Sequence, residues 1–265
     1  MAWLDPQATF DADAMQRSAI GIASTLGNHD SGAHQHRMGQ WLFTQHGCVR
    51  ITLAHQLCLL PPTRAAWIPP GVPHRAVTGT PVEYRSIFLG EPWIDTLPAQ
   101  IEVIEVGALL REVFERIAFA AWDTDWSTGT ASHLLALCLA ETATAQRQPL
   151  LLPLPTDRRL APLFAHPEQL PPALADLERT VGASVRTIGR IFQRETGMSY
   201  QQWRQQWRLI RAVEGLSSGR TLAWVAHSLG FASESAFIAF FKGITGKTPG
   251  QLRQEVARRD VTHGR

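Results

Sequence analysis

Residues 181–250 constrain this chain most: they spell the same local sentence twice, on either side of one long amphipathic stretch. The first copy runs Leu174–Gly182, then Ala183-Ser184, then Val185–Gly197. The second runs Thr221–Gly230, then Phe231-Ala-Ser233, then Glu234–Lys242. In each, a short apolar-periodic segment stops at a glycine (Gly182, Gly230), the residue that takes the left-handed conformation closing a helix. A serine (Ser184, Ser233) then supplies the side-chain oxygen that caps the next helix. The following helix carries apolar residues at helical spacing, Ile188, Ile191 and Phe192 in one copy and Phe237, Phe240 and Phe241 in the other, leaving its opposite face free. Two helix-turn-helix units on one body suit two successive major grooves of duplex DNA, roughly 34 Å apart.

Charge divides the same way. Residues 1–160 hold 11 Arg and no Lys against 15 acidic residues, a balance of −4, and residues 161–265 hold 12 Arg and 2 Lys against 8, a balance of +6. An acidic half joined to a basic half fits a sensor fused to a DNA reader, although a split of this size also arises by chance. The chain is 265 residues long and 45% apolar, enough for two cores. No run approaches the roughly 20 apolar residues of a membrane span, and the start Met1-Ala-Trp-Leu-Asp-Pro lacks the basic and apolar regions of a signal peptide. Cys48, Cys58 and Cys138 are odd in number and widely spaced, so they read as reduced, buried thiols of a cytoplasmic protein.

The first hundred residues have β texture. Short runs at Ala19–Leu26, Gln40–His46, Val49–Leu53, Ala65–Ile68, His74–Val77 and Tyr84–Leu89 are separated by Gly, Pro, Asn and Asp, as in a small barrel or sandwich. Two helices are expected next, at about 101–121 and 128–145. The first carries the stripe Leu109, Leu110, Val113, Phe114 and Ile117; the second is anchored by Leu134, Leu135, Leu137 and Leu139. The first stripe can meet its own copy in a homodimer or cover the barrel. The prolines of 148–155 mark a linker, and a second cluster spans Pro167–Pro172. Two domains are therefore expected, 1–150 and 158–265. The fold class is α+β: a β-barrel with two helices, then an all-α domain.

The C-terminal hundred residues resemble the DNA-binding domain of the AraC/XylS family of bacterial transcription regulators. The matching phrases are Arg190–Met198, Trp203–Arg211, Leu229–Phe237 and Phe241–Gly250. Ser199 is placed to cap the connecting helix, along which Trp203, Trp207, Ile210, Val213 and Leu216 form a core stripe. On the first recognition helix, Ser184, Val185, Arg186, Arg190 and Gln193 are the candidate contacts. The resemblance maps base reading onto Arg186, Gly189 and Arg190, of which Gly189 has no side chain to offer. Arginine bridges guanine O6 and N7 with two bonds, but either arginine can instead meet phosphate. On the second helix the candidates are Glu234, Ser235 and Ile238. Glutamate accepts from cytosine N4 and an apolar side chain touches a thymine methyl, while Ser233, Ser235 and the helix N-terminus can serve as backbone contacts alone.

Within 29–47 lie His34-Gln-His36 and Gln40, and later Pro69-Pro-Gly71-Val-Pro-His74. Together these resemble the two motifs of the cupin superfamily, and Arg64–His74 is similar to a subgroup of AraC-type regulators with an N-terminal cupin. If His34 and His36 share a strand, period two puts both on one face. With His74 and the Gln40 amide oxygen, they form a candidate site for a divalent metal, Zn, Ni, Mn or Fe, whose identity three imidazoles and an oxygen do not select. The same histidines can equally line a pocket or hold the barrel by hydrogen bonds. Gln40 stands where metal-dependent cupin enzymes usually have glutamate. The resemblance therefore implies a transcription regulator in which a small effector or metal acts on the barrel. A metal-dependent cupin enzyme with a DNA-binding tail, and an architectural DNA binder with a passive barrel, are the alternatives.

Overall fold

The computed structural model describes residues 3–5, 10–79, 81–147, 151–164 and 169–254. The chain separates into two compact units, one of Met1–Ala54 with Cys58–Leu150 and the other of His55–Leu57 with Leu151–Arg265.

The first unit contains β1 (Ala19–Leu26), β2 (His29–Asp30), β3 (Gly39–His46), β4 (Val49–Leu53), most of β5 (Gln56–Leu60), β6 (Arg64–Ile68), β7 (His74–Thr78), β8 (Val82–Leu89) and β9 (Glu102–Glu105), followed by α1 (Ala108–Ala118) and α2 (Gly129–Thr144). One sheet has the order β1-β8-β3-β6-β9; the second runs β5-β4-β7-β2. The pairs β1–β8, β3–β8, β3–β6, β6–β9, β4–β7 and β2–β7 are all antiparallel.

Strand alternation sorts the side chains of the first sheet onto two faces. Trp41 and Phe43 of β3, Trp67 of β6 and Ile87 and Leu89 of β8 pack against Leu110, Val113, Phe114 and Ile117 of α1. Phe114 lies between Trp41 and Phe43, with ring centroids 6.0 and 5.8 Å away. The α1 stripe thus covers the sheet, and of its five members only Leu109 faces out, at 52% exposure. Close approach of α1 requires Gly21, where a Cβ would lie 1.9 Å from the Ile117 carbonyl oxygen. A polar layer flanks this core: Arg85 of β8 binds both carboxylate oxygens of Glu115, each at 2.8 Å, and Arg111 donates to Gln45.

Several expected boundaries move. The helix expected from 101 begins at Ala108, because Glu102–Glu105 pairs with β6 as an edge strand and Gly107 intervenes. The four leucines expected to anchor α2 cannot share one helical face. Leu135, Cys138 and Thr142 are buried at three- and four-residue spacing, while Leu137 is 37% exposed. Cys48, Cys58 and Cys138 are buried and none is in a disulfide; burial pushes the thiols of Cys58 and Cys138 up to about 12.

Residues 148–150 of the expected linker and 167–168 of the second proline cluster lie outside the described residues. Leu151–Pro153 is a short strand rather than open linker. Then come α3 (Ala161–Phe164), α4 (Leu174–Val181), α5 (Val185–Thr196), α6 (Tyr200–Ser217), α7 (Leu222–Ser228) and α8 (Glu234–Thr245). The expected caps Ser184, Ser199 and Ser233 are in place, each accepting from a backbone N–H of the first turn, and Thr221 caps α7 in the same way. At Ser199 the Gln202 side chain reciprocates, completing a capping box. Gly182 and Gly197 close α4 and α5 in the left-handed region, at φ 62° and 72°. Trp203, Trp207, Ile210, Val213 and Leu216 are all buried along α6. The Trp203 indole N–H donates to the Pro153 carbonyl at 2.8 Å, and its ring meets those of Phe164, Phe192 and Tyr200. No helix among the described residues is long and apolar enough to cross a membrane.

Candidate metal centre and nucleic-acid interface

The face of the first sheet turned away from α1 looks onto a cavity of about 660 Å³, whose lining comes from both sheets. Ile22 and Leu26 of β1, Leu42 of β3, Val49 of β4 and Phe88 of β8 give it apolar walls. Gln40, Tyr84 and the three histidines His34, His36 and His74 supply polar groups.

The histidines converge, although not by sharing a strand. His34 forms an isolated antiparallel bridge with His74, each backbone N–H donating to the other's carbonyl at 3.0 and 2.9 Å. His36 lies outside regular structure, its carbonyl accepting from Gly71 N–H at 2.8 Å. Gly32, at φ 66°, lies just upstream of the two histidines. The Pro-x-Gly turn thus tethers His36 and delivers His74 at the start of β7. One ligand-capable atom from each ring lies within 4.8 Å of the others. His36 and His74 are buried, at 9% and 3% exposure, and His34 is exposed.

Each ring has its Nδ1 beside a backbone carbonyl. His34 Nδ1 is 3.1 Å from the Gly32 oxygen, His74 Nδ1 is 2.9 Å from the Val72 oxygen, and His36 Nδ1 contacts the Met38 oxygen. A carbonyl can only accept, so in the neutral form of each ring these contacts place the proton on Nδ1 and the lone pair on Nε2. That is the arrangement by which proteins fix metal-binding histidines. Burial, with smaller contributions from His34 and His36, pulls the His74 pKa down to about 4 against the opposing Val72 bond, so its ring is neutral at pH 7.

Gln40, buried on β3, completes the cluster. Its Oε1 is 3.1 Å from His36 Nε2, and its amide nitrogen donates to Ser86 Oγ at 2.7 Å and Tyr84 Oη at 3.0 Å. Tyr84 and Ser86 were not among the expected site residues. Their spacing on β8 signals a common face, but only the β3–β8 register brings that face to Gln40. Three imidazoles with ligand-capable atoms within 4.8 Å of one another, and an amide oxygen beside one of them, fit a first-row divalent metal.

In the second unit, Arg186 and Arg190 are exposed on α5, and neither has an intramolecular ion pair or side-chain hydrogen bond among the described residues. Val185 is exposed, with its N–H donating to Glu178 Oε1, and Ser184 is occupied as the cap. Gln193 is exposed, with its side-chain amide donating to the Gly197 carbonyl at 3.1 Å. On α8, Glu234 and Ser235 are exposed and Ile238 is half-buried. Several other cations are engaged within the unit: Arg204 donates to the Pro171 carbonyl, Arg208 lies over the Phe231 ring and Arg211 pairs with Glu214. Arg186 and Arg190 are thus the free cations that α5 turns outward.

A sheet domain enclosing a histidine-lined cavity, ahead of two capped helix-turn-helix units, defines a two-part DNA-binding regulator. Residues 18–168 match the AraC-like ligand binding domain and residues 177–255 match a helix-turn-helix domain. The HTH-type transcriptional regulator NimR of Escherichia coli is 32% identical over 247 residues, covering 91% of this chain and 90% of the relative. The regulator RipA of Corynebacterium glutamicum is 34% identical over 77 residues, 29% of this chain and 23% of that one. Among solved structures, ToxT from Vibrio cholerae covers 89% of this chain and 98% of its own, at 9% identity and a TM-score of 0.36. The chain belongs to the AraC family of transcription regulators, with an N-terminal ligand-binding domain and a C-terminal helix-turn-helix DNA-binding domain.

Proposed function

We propose that this regulator senses its effector through a divalent metal held by His34, His36 and His74, with Gln40 as a further oxygen ligand. The carrying observation is that each of the three rings has its Nδ1 at a backbone carbonyl while one ligand-capable nitrogen of each lies within 4.8 Å of the others. The metal would supply a Lewis-acidic coordination point for the effector. The protein's own residues orient the rings, exclude water through the apolar walls and hold the Gln40 amide in place. Family membership favours this sensor over a cupin enzyme.

Promoter DNA is read through Arg186 and Arg190, with Ser184, Val185 and Gln193 supporting the first helix and Glu234, Ser235 and Ile238 the second. Effector occupancy changes operator affinity. The active species is a cytoplasmic homodimer, for which the exposed Leu109 and Leu137 offer contacts.

Elemental analysis of untagged protein purified without chelators tests the metal directly. About one ion per chain, lost in His36→Ala without loss of the helical circular-dichroism signal, supports the centre. Metal well below one ion per chain, with no uptake of added Zn, Ni, Mn or Fe, returns the three histidines to a structural role.

A further inference from the structure

The walls of the cavity sort by charge. Ile22, Leu26, Leu42, Val49 and Phe88 are apolar, and Gln40 and Tyr84 are neutral hydrogen-bonding groups. The one cationic side chain among the described lining residues is Arg37. It is 84% exposed and paired with Asp13, so it serves the rim and not the interior. Four carboxylates also line it: Asp13 is held by the Arg37 and Met38 N–H groups, Asp30 by Arg75 and Asp11 by the Asp13 and Ala14 N–H groups, and Asp5 is the fourth. An organic anion entering this cavity meets no side-chain cation inside it.

The histidine cluster has the opposite deficit. No carboxylate joins His34, His36 and His74 among the described residues, and the fourth donor is an amide. A divalent ion held here keeps its double positive charge beside exposed His34 and among three groups of 3–9% exposure, Gln40, His36 and His74. Burying charge is costly unless a counter-charge arrives with it. A glutamate at position 40 would supply one; glutamine leaves that role open.

We propose that the cavity binds a small apolar organic monoanion whose carboxylate, or a head of like charge, coordinates the metal at His34, His36 and His74. Its hydrocarbon body lies along Ile22, Leu26, Leu42, Val49 and Phe88. This reading rests on the metal centre proposed above and names the effector class for it. Neutral Gln40 is the residue that makes the centre an anion receptor.

The test uses full-length protein, metal-free or loaded with zinc and checked for zinc content, titrated calorimetrically with three probes. Decanoate carries head and body, decanol the body alone and acetate the head alone. Decanoate is expected to bind the zinc-loaded protein at one per chain, at least about tenfold tighter than either control and at least about tenfold tighter than it binds metal-free protein. Gln40→Glu is expected to retain zinc and lose decanoate affinity by about tenfold or more, because the new carboxylate neutralises the ion. Stoichiometric zinc with decanoate no better than decanol overturns the anion assignment and leaves the metal centre standing. Equal decanoate affinity with and without zinc overturns the coordination of the head. Failure to take up zinc overturns the metal centre, and the anion assignment with it.

Discussion

His36 Nε2 and Gln40 Oε1 face each other at 3.1 Å, and both are lone-pair atoms when the neutral His36 ring donates its Nδ1–H to the Met38 carbonyl. Ser86 Oγ and Tyr84 Oη hold the amide in this sense. Two acceptors at hydrogen-bond distance require a proton or a cation between them, or a rotation of the amide that reverses its bonds to the two hydroxyls. A metal ion satisfies both lone pairs at once. Gln40→Leu removes the oxygen and keeps the bulk, and is expected to weaken zinc affinity by about 10- to 100-fold, the range for lost supporting groups at metal sites. Competition with a chelating dye measures this; unchanged affinity would show that Gln40 serves only the hydrogen-bond network.

Arg190 stands exposed one turn beyond Arg186 on the outward face of α5, beside a glycine. Arg190→Ala is expected to cost about 1–3 kcal/mol on the best operator and to relax preference at one base pair, as loss of a bidentate guanine contact does. Binding to a library of single-base operator variants reads this out. A loss that is uniform across the library identifies Arg190 as a phosphate contact.

Salt separates the remaining contributions. Operator affinity of the full chain is expected to fall linearly on a log–log plot against salt concentration as arginines displace condensed counterions. Arg186→Ala should lower the slope by about one if Arg186 touches phosphate, and leave it nearer the parent value if it reads a base. Arg208→Ala should act through stability and not through the slope, since Arg208 packs over Phe231.

The α1 stripe gives a paired stability prediction. Phe114 is completely buried between Trp41 and Phe43, so Phe114→Ala is expected to cost about 3–5 kcal/mol in chemical denaturation. Leu109→Ser, on the exposed side of the same helix, is expected to change monomer stability by no more than about 0.5 kcal/mol. Comparable losses from both variants would contradict the packing of α1 on the sheet.

Much of this architecture was readable from local chemistry. Short β-rich runs between Gly, Pro, Asn and Asp located β1 and β4 to the residue, serine caps located the starts of α5 and α6, and a glycine stop located the end of α5. The omissions have physical causes. Gln56–Leu60 is almost wholly buried and shows no alternation, and His29–Asp30 is too short to have a period. Glu102–Glu105 is an apolar pair between two acids, and its pairing with β6 supplies what local propensity does not. In the site, His34, His36, Gln40 and His74 were legible as residue types at motif spacing. Their geometry was not: one histidine forms a lone bridge and another lies outside any strand. Tyr84 and Ser86 join only through strand register, which a single sequence does not encode locally. On α5 the outward face was legible from the position of its core residues, whereas the bond from Gln193 to the helix end was not.

The most direct test of a metal-dependent sensor joined to a DNA reader is the operator affinity of the full-length chain, by fluorescence anisotropy on a duplex selected from flanking genomic DNA. It is measured metal-free, zinc-loaded, and zinc-loaded with saturating decanoate. The expected result is a shift of about tenfold or more in operator Kd between the metal-free and the fully ligated protein, abolished by His36→Ala. The same Kd in all three states, with zinc and decanoate shown to be bound, would contradict the coupling of this cavity to DNA binding.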